Sequence, residues 1–264
     1  MKLHLLCIDP QKDFASKNGS LFVPGADEDM DRLATFVDRI GDKLDEIHVT
    51  MDSHHLVDIA HPIFWMDSNG KHPAPFTIIS VDDVAQGRWI TSVPVFRQYG
   101  LDYVQTLAAN GRYPLCIWPP HCLIGSEGYG IVEPFYTSLR KWEDKYTGIV
   151  NFVTKGSNYK TEHYSAVQAD VPDPQDPGTM LNTELIDTLQ KADIILIAGE
   201  ALSHCVANTV TDVANNFGDE NIKKFVLLRD CTSNVGGFDT MGETFVKNMK
   251  ARGMQVTTSK EFLK

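Results

Sequence analysis

The sequence predicts a three-layer α/β/α domain built on a mostly parallel, doubly wound sheet. Short, almost wholly apolar segments of strand length recur along the chain, as expected for strands covered on both faces. Segments with a 3.6-residue apolar period stand between them. The two kinds alternate from one end to the other, the pattern of a parallel sheet with helices on both sides.

The first strand is expected over residues 3–8, ending at Asp9. Asp27 then caps a helix that sets Met30, Leu33, Val37 and Ile40 on one face. Residues 46–51 make the second strand, ending at Asp52. Residues 53–125 are rich in His, Pro, Gly and aromatics, with one helix near 102–109. They are read as an elaborated connection, with a long insertion at about 66–117, inside a single domain spanning residues 1–264. An amphipathic helix follows over 131–146, then a third strand, 151–154, ending at Lys155. The acidic, proline-rich run 170–178 reads as a surface loop, and 183–191 as a helix.

The fourth strand, 193–198, is the most hydrophobic segment. It leads through a turn to Cys205 and a helix carrying Val206, Val210, Val213 and Phe217, which Gly218 stops. A strand at 224–228, a helix at 240–251 and a strand at 254–258 complete the pattern.

Composition narrows the function classes. A net charge of −11 argues against a nucleic-acid partner, and no apolar run approaches the length of a membrane span. The apolar stretch before Asp9 is too short for a signal peptide. The five cysteines are odd in number, include no C-x-x-C pair and suggest no disulfide framework. A reducing, cytoplasmic setting is expected. The expected partner is a small molecule, with room for a homo-oligomer.

Ligands of open parallel sheets bind beyond the carboxyl ends of the strands. Those ends carry Asp9, Asp52, Lys155 and the turn to Cys205. Cys205 in the first turn of a helix would gain thiolate character from the helix N-terminus and from Lys155. Asp9 could take the thiol proton and later deliver it to a leaving amine. Asp52-Ser53-His54, with His121 downstream, offers a carboxylate and two imidazoles, a donor set suited to zinc, iron or manganese. His61 is a further ligand or a neighbour of the ligands, or simply a polar loop residue.

These segments resemble a known family. Ile8-Asp9-Pro10-Gln11-Lys12-Asp13-Phe14 is similar to the first-strand motif of the isochorismatase-like cysteine hydrolases. Asp52-Ser53-His54 and Trp118-Pro119-Pro120-His121-Cys122 resemble the metal-binding motifs of their nicotinamidase/pyrazinamidase branch. Lys155-Gly156 with Tyr164-Ser165-Ala166 resembles the lysine segment, and Gly199 to Val206 the nucleophile turn.

The resemblance implies hydrolysis of nicotinamide to nicotinate and ammonia, with Cys205 as nucleophile, Asp9 as proton carrier and Lys155 supporting the thiolate. It implies an oxyanion hole from the backbone N–H groups of Ala201 and Cys205, and a cis peptide before Ala201. It implies one divalent ion, zinc first, on Asp52, His54 and His121, and a pocket lined by Phe14, Trp118 and Tyr164. The segment between His54 and His121 is longer than is usual for the family, and Glu200 and Ser203 depart from its pattern in ways that could change pocket polarity. Two alternatives stand beside this reading. One is a related cysteine amidohydrolase acting on a ureido, carbamoyl or maleamate-type amide. The other is a non-catalytic ligand-binding protein on the same fold.

Overall fold

A computed structural model describes the whole chain, residues 1–264. Six strands form one parallel sheet: β1 (Leu3–Ile8), β2 (Glu46–Asp52), β3 (Asn151–Lys155), β4 (Ile194–Gly199), β5 (Phe225–Leu228) and β6 (Gln255–Thr257). Their order is β6-β5-β4-β1-β2-β3, and every pairing is parallel. The expected three-layer architecture is therefore the observed one. Every residue of β1 is buried, and β4 is buried beyond its first residue, which is why these two read as unbroken apolar runs. β3 lies at the sheet edge and exposes Asn151, Phe152 and Thr154.

The helices are α1 (Ala26–Ile40), α2 (Arg97–Ala109), α3 (Phe135–Tyr146), α4 (Thr183–Gln190), α5 (Ala207–Phe217) and α6 (Asp239–Arg252). α1 packs on α3, while α5 packs on both α4 and α6, as right-handed crossovers require for strands added on either side of β1. α3 begins four residues later than the apolar period suggests. Pro134 stands at its N-cap, and Ile131 instead bridges Gln11.

Chain direction reverses between β1 and β4, and that switch point opens a crevice beyond their carboxyl ends. The two strands converge closely there. A Cβ on Gly199 would lie 2.0 Å from the Ile8 carbonyl oxygen, so only glycine permits the approach.

Residues 66–117 form two short antiparallel ribbons, Trp65–Met66 with Ile90–Thr91 and Ile78–Ile79 with Leu115–Cys116, together with α2. Trp65, Tyr103, Leu107 and Ile117 from this region belong to the same continuous buried cluster as the sheet. Its helix supports the loop beyond β3: Tyr103 Oη accepts from Glu162 N at 2.9 Å and Tyr99 Oη donates to the Lys160 carbonyl at 2.7 Å. The acidic loop is less superficial than its composition suggests, since Asp170 is buried and pairs with Arg112. No helix is long and apolar enough to cross a membrane.

Candidate active site

The carboxyl ends of β1, β2 and β3 and the turn after β4 bring Asp9, Asp52, Lys155 and Cys205 into one buried cluster. Asp9 follows β1 with a positive φ of 43°, and its backbone N–H donates to Thr50 Oγ1 at 3.0 Å. The Thr50 hydroxyl donates in turn to Asp9 Oδ1. Lys155, the last residue of β3, lies 3.0 Å from Asp9 Oδ2, 2.9 Å from Asp52 Oδ1 and 3.6 Å from Cys205 Sγ. Cys205 sits in a single widened helical turn, Leu202–Val206, that feeds α5. The peptide joining Glu200 to Ala201 is cis.

The electrostatics of the cluster differ from the sequence expectation at Cys205. Burial pushes its thiol well above the ordinary range; Lys155 opposes this, and Asp9 and Asp52 reinforce it. The resting group is thus a neutral thiol, because desolvation outweighs the nearby ammonium. Burial also raises the Asp9 carboxyl, against the pull of Lys155. Lys155 itself would be discharged by burial, but Asp52 and Asp9 hold its pKa well above the usual value.

Asp52, His54 and His121 meet beside this cluster. Asp52 Oδ2 is 3.1 Å from His54 Nε2 and 3.4 Å from His121 Nε2, and the three donor atoms all lie within 4.8 Å of one another. The other ring nitrogens are engaged elsewhere: His54 Nδ1 with Asp58 Oδ2 at 3.0 Å and His121 Nδ1 with the Pro119 carbonyl at 2.9 Å. That leaves both Nε2 atoms turned to a common point, the arrangement in which histidines bind a metal. His61 packs against both rings, 5.1 Å from His54 and 5.5 Å from His121 between centroids, and its buried Nε2 has no partner. The residues fit a divalent ion: one carboxylate, two oriented imidazoles and an orphaned third imidazole beside them.

A narrow cavity joins the two groups. Asp52, His121, Ala201 and Cys205 line it, and Phe14, Trp118 and Tyr164 form its aromatic walls. Trp118 Nε1 donates to Tyr164 Oη at 2.9 Å, and Phe14 meets His121 edge-on at 5.3 Å. All the residues singled out from the sequence thus lie in or directly against one site. A wider cleft of about 1020 Å³ opens between α5, α6 and residues 110–113, but it contains none of these groups.

Glu200 and Ser203, expected to alter pocket polarity, do not line the cavity. Glu200 Oε2 accepts from Ser233 N at 3.1 Å, and Ser203 Oγ accepts from Val235 N at 3.1 Å, so both serve to hold the turn. Other residues carry roles not assigned from the sequence. The Gln11 amide grips the Asp52 backbone from both sides, donating to its carbonyl and accepting from its N–H, each at 2.7 Å. Asp13 Oδ2 accepts from Cys122 N at 2.7 Å and so fixes the segment carrying His121. Both lie inside the Ile8–Phe14 motif, which was the available signal. Glu162 and His204 also line the cavity. No local pattern marks Glu162, which reaches the site only through the loop that α2 supports.

No protein-family model matches the chain, and no curated protein matches it by sequence. Solved structures do match. The yeast nicotinamidase Pnc1p superposes with a TM-score of 0.66 at 20% identity, covering 97% of this chain and 99% of its own. A nicotinamidase/pyrazinamidase of Acinetobacter baumanii gives 0.63 at 19% identity, over 99% and 98% of the two chains.

This is the nicotinamidase fold.

A third structure with that fold, the pyrazinamidase of Pyrococcus horikoshii in complex with zinc, gives a TM-score of 0.59 at 18% identity, over 98% and 99%. Coverage near completeness on both sides means that the nicotinamidase fold accounts for residues 66–117 as well as for the sheet and its helices.

Proposed function

We propose that this protein is a cysteine amidohydrolase that converts nicotinamide to nicotinate and ammonia through a Cys205 thioester. The observation that carries the reading is the Lys155 ammonium, which touches the Cys205 sulfur, the Asp9 carboxylate and the Asp52 carboxylate at once. Nucleophile, proton carrier and metal cluster are thereby fixed relative to one another around one cavity.

The Asp9 carboxylate takes the Cys205 proton as the sulfur bonds to the carboxamide carbon, and the carbonyl π electrons move to oxygen. The N–H groups of Ala201 and Cys205 receive that oxyanion. The oxyanion collapses, the C–N bond breaks, and Asp9 returns the proton to the departing ammonia. Water then adds to the thioester carbon while Asp9 takes its proton. The C–S bond breaks, the acid leaves, and the thiol is restored. A neutral resting thiol suits this sequence, since it makes proton transfer to Asp9 part of the attack. A divalent ion on Asp52, His54 and His121, zinc first, would supply a Lewis-acid contact for the pyridine nitrogen. Phe14, Trp118 and Tyr164 offer flat apolar walls for the ring.

One observation favours a second reading, another small amide. Glu162 lines the cavity, is buried, and leaves Oε2 without a partner, a group that nicotinamide's bare ring would not use. Ammonia release by the zinc-loaded chain decides between the two. Rapid release from nicotinamide, absent in Cys205→Ala, supports the first. No release from nicotinamide, with turnover of a carbamoyl or maleamate-type amide that still needs Cys205, overturns it in favour of the second.

A further inference from the structure

The opposite end of the same two strands carries a second cluster of metal-binding side chains. His4 on β1 lies in register with Glu46 on β2, and His48 follows two residues later on the same face of β2. His4 and His48 are buried to within 1% of their surface, whereas the Glu46 side chain is about half exposed. Their neighbours along β1 and β2 are mainly aliphatic, the usual occupants of strands covered on both sides. Two adjacent buried imidazoles are therefore out of keeping with their setting.

Their geometry is that of ligands. His4 Nδ1 and His48 Nε2 are 3.2 Å apart, and Glu46 Oε2 is 3.5 Å from His48 Nε2. The three donor atoms lie within 4.8 Å of one another. Ligands on a tetrahedral zinc at 2.0–2.1 Å stand roughly 3.3 Å from each other, so the spacings match with little movement. The second nitrogen of His48 is already held, Nδ1 lying 3.1 Å from the Asn151 side-chain amide, which leaves Nε2 for the ion. Without an ion the cluster is poorly satisfied. His4 Nε2 is buried with no hydrogen-bond partner, its nearest acceptor being Glu46 Oε1 at 3.9 Å. Burial keeps both rings neutral, the form that binds metal, with His48 pushed down to about 4.

We propose that His4, Glu46 and His48 form a second divalent metal site, for a borderline ion of the zinc class, with water completing the coordination on the exposed Glu46 side. Five residues of β1 separate His4 from Asp9, about 16 Å of extended strand, so this ion does not meet the substrate. It would clamp β1 to β2 at their amino ends while Asp9 and Asp52 project from the other.

The test uses the full chain carrying His54→Ala, which disables the cluster beside Cys205. After stripping with chelator and dialysis against buffered zinc, this protein is expected to retain one equivalent of zinc and to melt at a higher temperature with zinc than without. Adding Glu46→Gln should weaken zinc binding at least about tenfold, the small end of the losses seen at metal-site residues, and abolish the thermal shift. Glu46 is half exposed, so this variant does not depend on refilling a core position; His4→Gln, if folded, should behave alike. A His54→Ala chain that binds no zinc, or a Glu46→Gln variant that binds it undiminished, overturns the assignment. Neither result bears on nicotinamide hydrolysis, which needs only the other cluster.

Discussion

Lys155 Nζ lies 3.0 Å from Asp9 Oδ2, with both side chains buried. The same ammonium neutralises Asp52 at 2.9 Å, so one cation compensates two carboxylates drawn from two other strands. Lys155→Met should leave both uncompensated in a medium that solvates them poorly. Removing one partner of a buried pair costs about 3–5 kcal/mol. We expect a loss of that size in denaturant unfolding, together with loss of turnover. Unchanged stability would show that the lysine does not carry the compensation.

Cys205→Ala should reduce turnover on the order of 10⁴-fold or more, as removal of a nucleophile does elsewhere. The alanine keeps the turn and touches neither His54 nor His121, so zinc content should not change. Trapping of a substrate-derived thioester by mass spectrometry in the native chain, and its absence in the variant, checks the covalent step. Retained activity in Cys205→Ala would remove that step.

Asp58 touches no substrate, but its Oδ2 holds His54 Nδ1 while Oδ1 accepts from Ala60 N at 3.0 Å. Asp58→Asn should therefore weaken zinc binding about 10–100-fold through the orientation and basicity of His54. A competing chromogenic chelator reads this directly. Chelation of the native chain should raise KM for the amide more than it lowers thiol labelling at Cys205, since metal and thiol act on different parts of the substrate.

Glu200 gives a pH prediction. Burial, and then the neighbouring Asp29, raise its carboxyl well above the ordinary 4.5. A raised folded-state pKa means that the unfolded chain releases the proton more readily. The contribution of Glu200 to stability is therefore complete below about pH 4.5 and is lost as pH rises toward the folded value. Glu200→Gln mimics the protonated form, and its amide oxygen can still accept from Ser233 N. Its Tm should exceed that of the native chain at neutral and alkaline pH, and the two should converge toward pH 4.5. A Tm gap independent of pH would show that Glu200 is not protonated in the fold.

Much of this protein was legible in its sequence. The strands covered on both faces leave continuous apolar runs, and strands end where a polar residue first appears, so Asp9, Asp52, Lys155 and the turn to Cys205 could be located by alternation alone. The weakest reading came at Pro134 and at Asp170. An apolar period does not register a proline at a helix start, and composition does not reveal that Arg112 draws an acidic loop residue into the interior.

The sequence by itself determined the fold class, the order of the elements and the identity of the reactive side chains, because these depend on local periodicity and on what stands at each strand end. Tertiary structure alone decided the state and partnership of those groups. That Cys205 rests as a neutral thiol depends on burial outweighing Lys155, a balance set by every atom that excludes water from the crevice. That Glu162 joins the site depends on Tyr103, 59 residues earlier in the chain. That His4 meets His48 depends on the register of β1 against β2. These are distances between residues remote in sequence, and no pattern of neighbours along the chain encodes them.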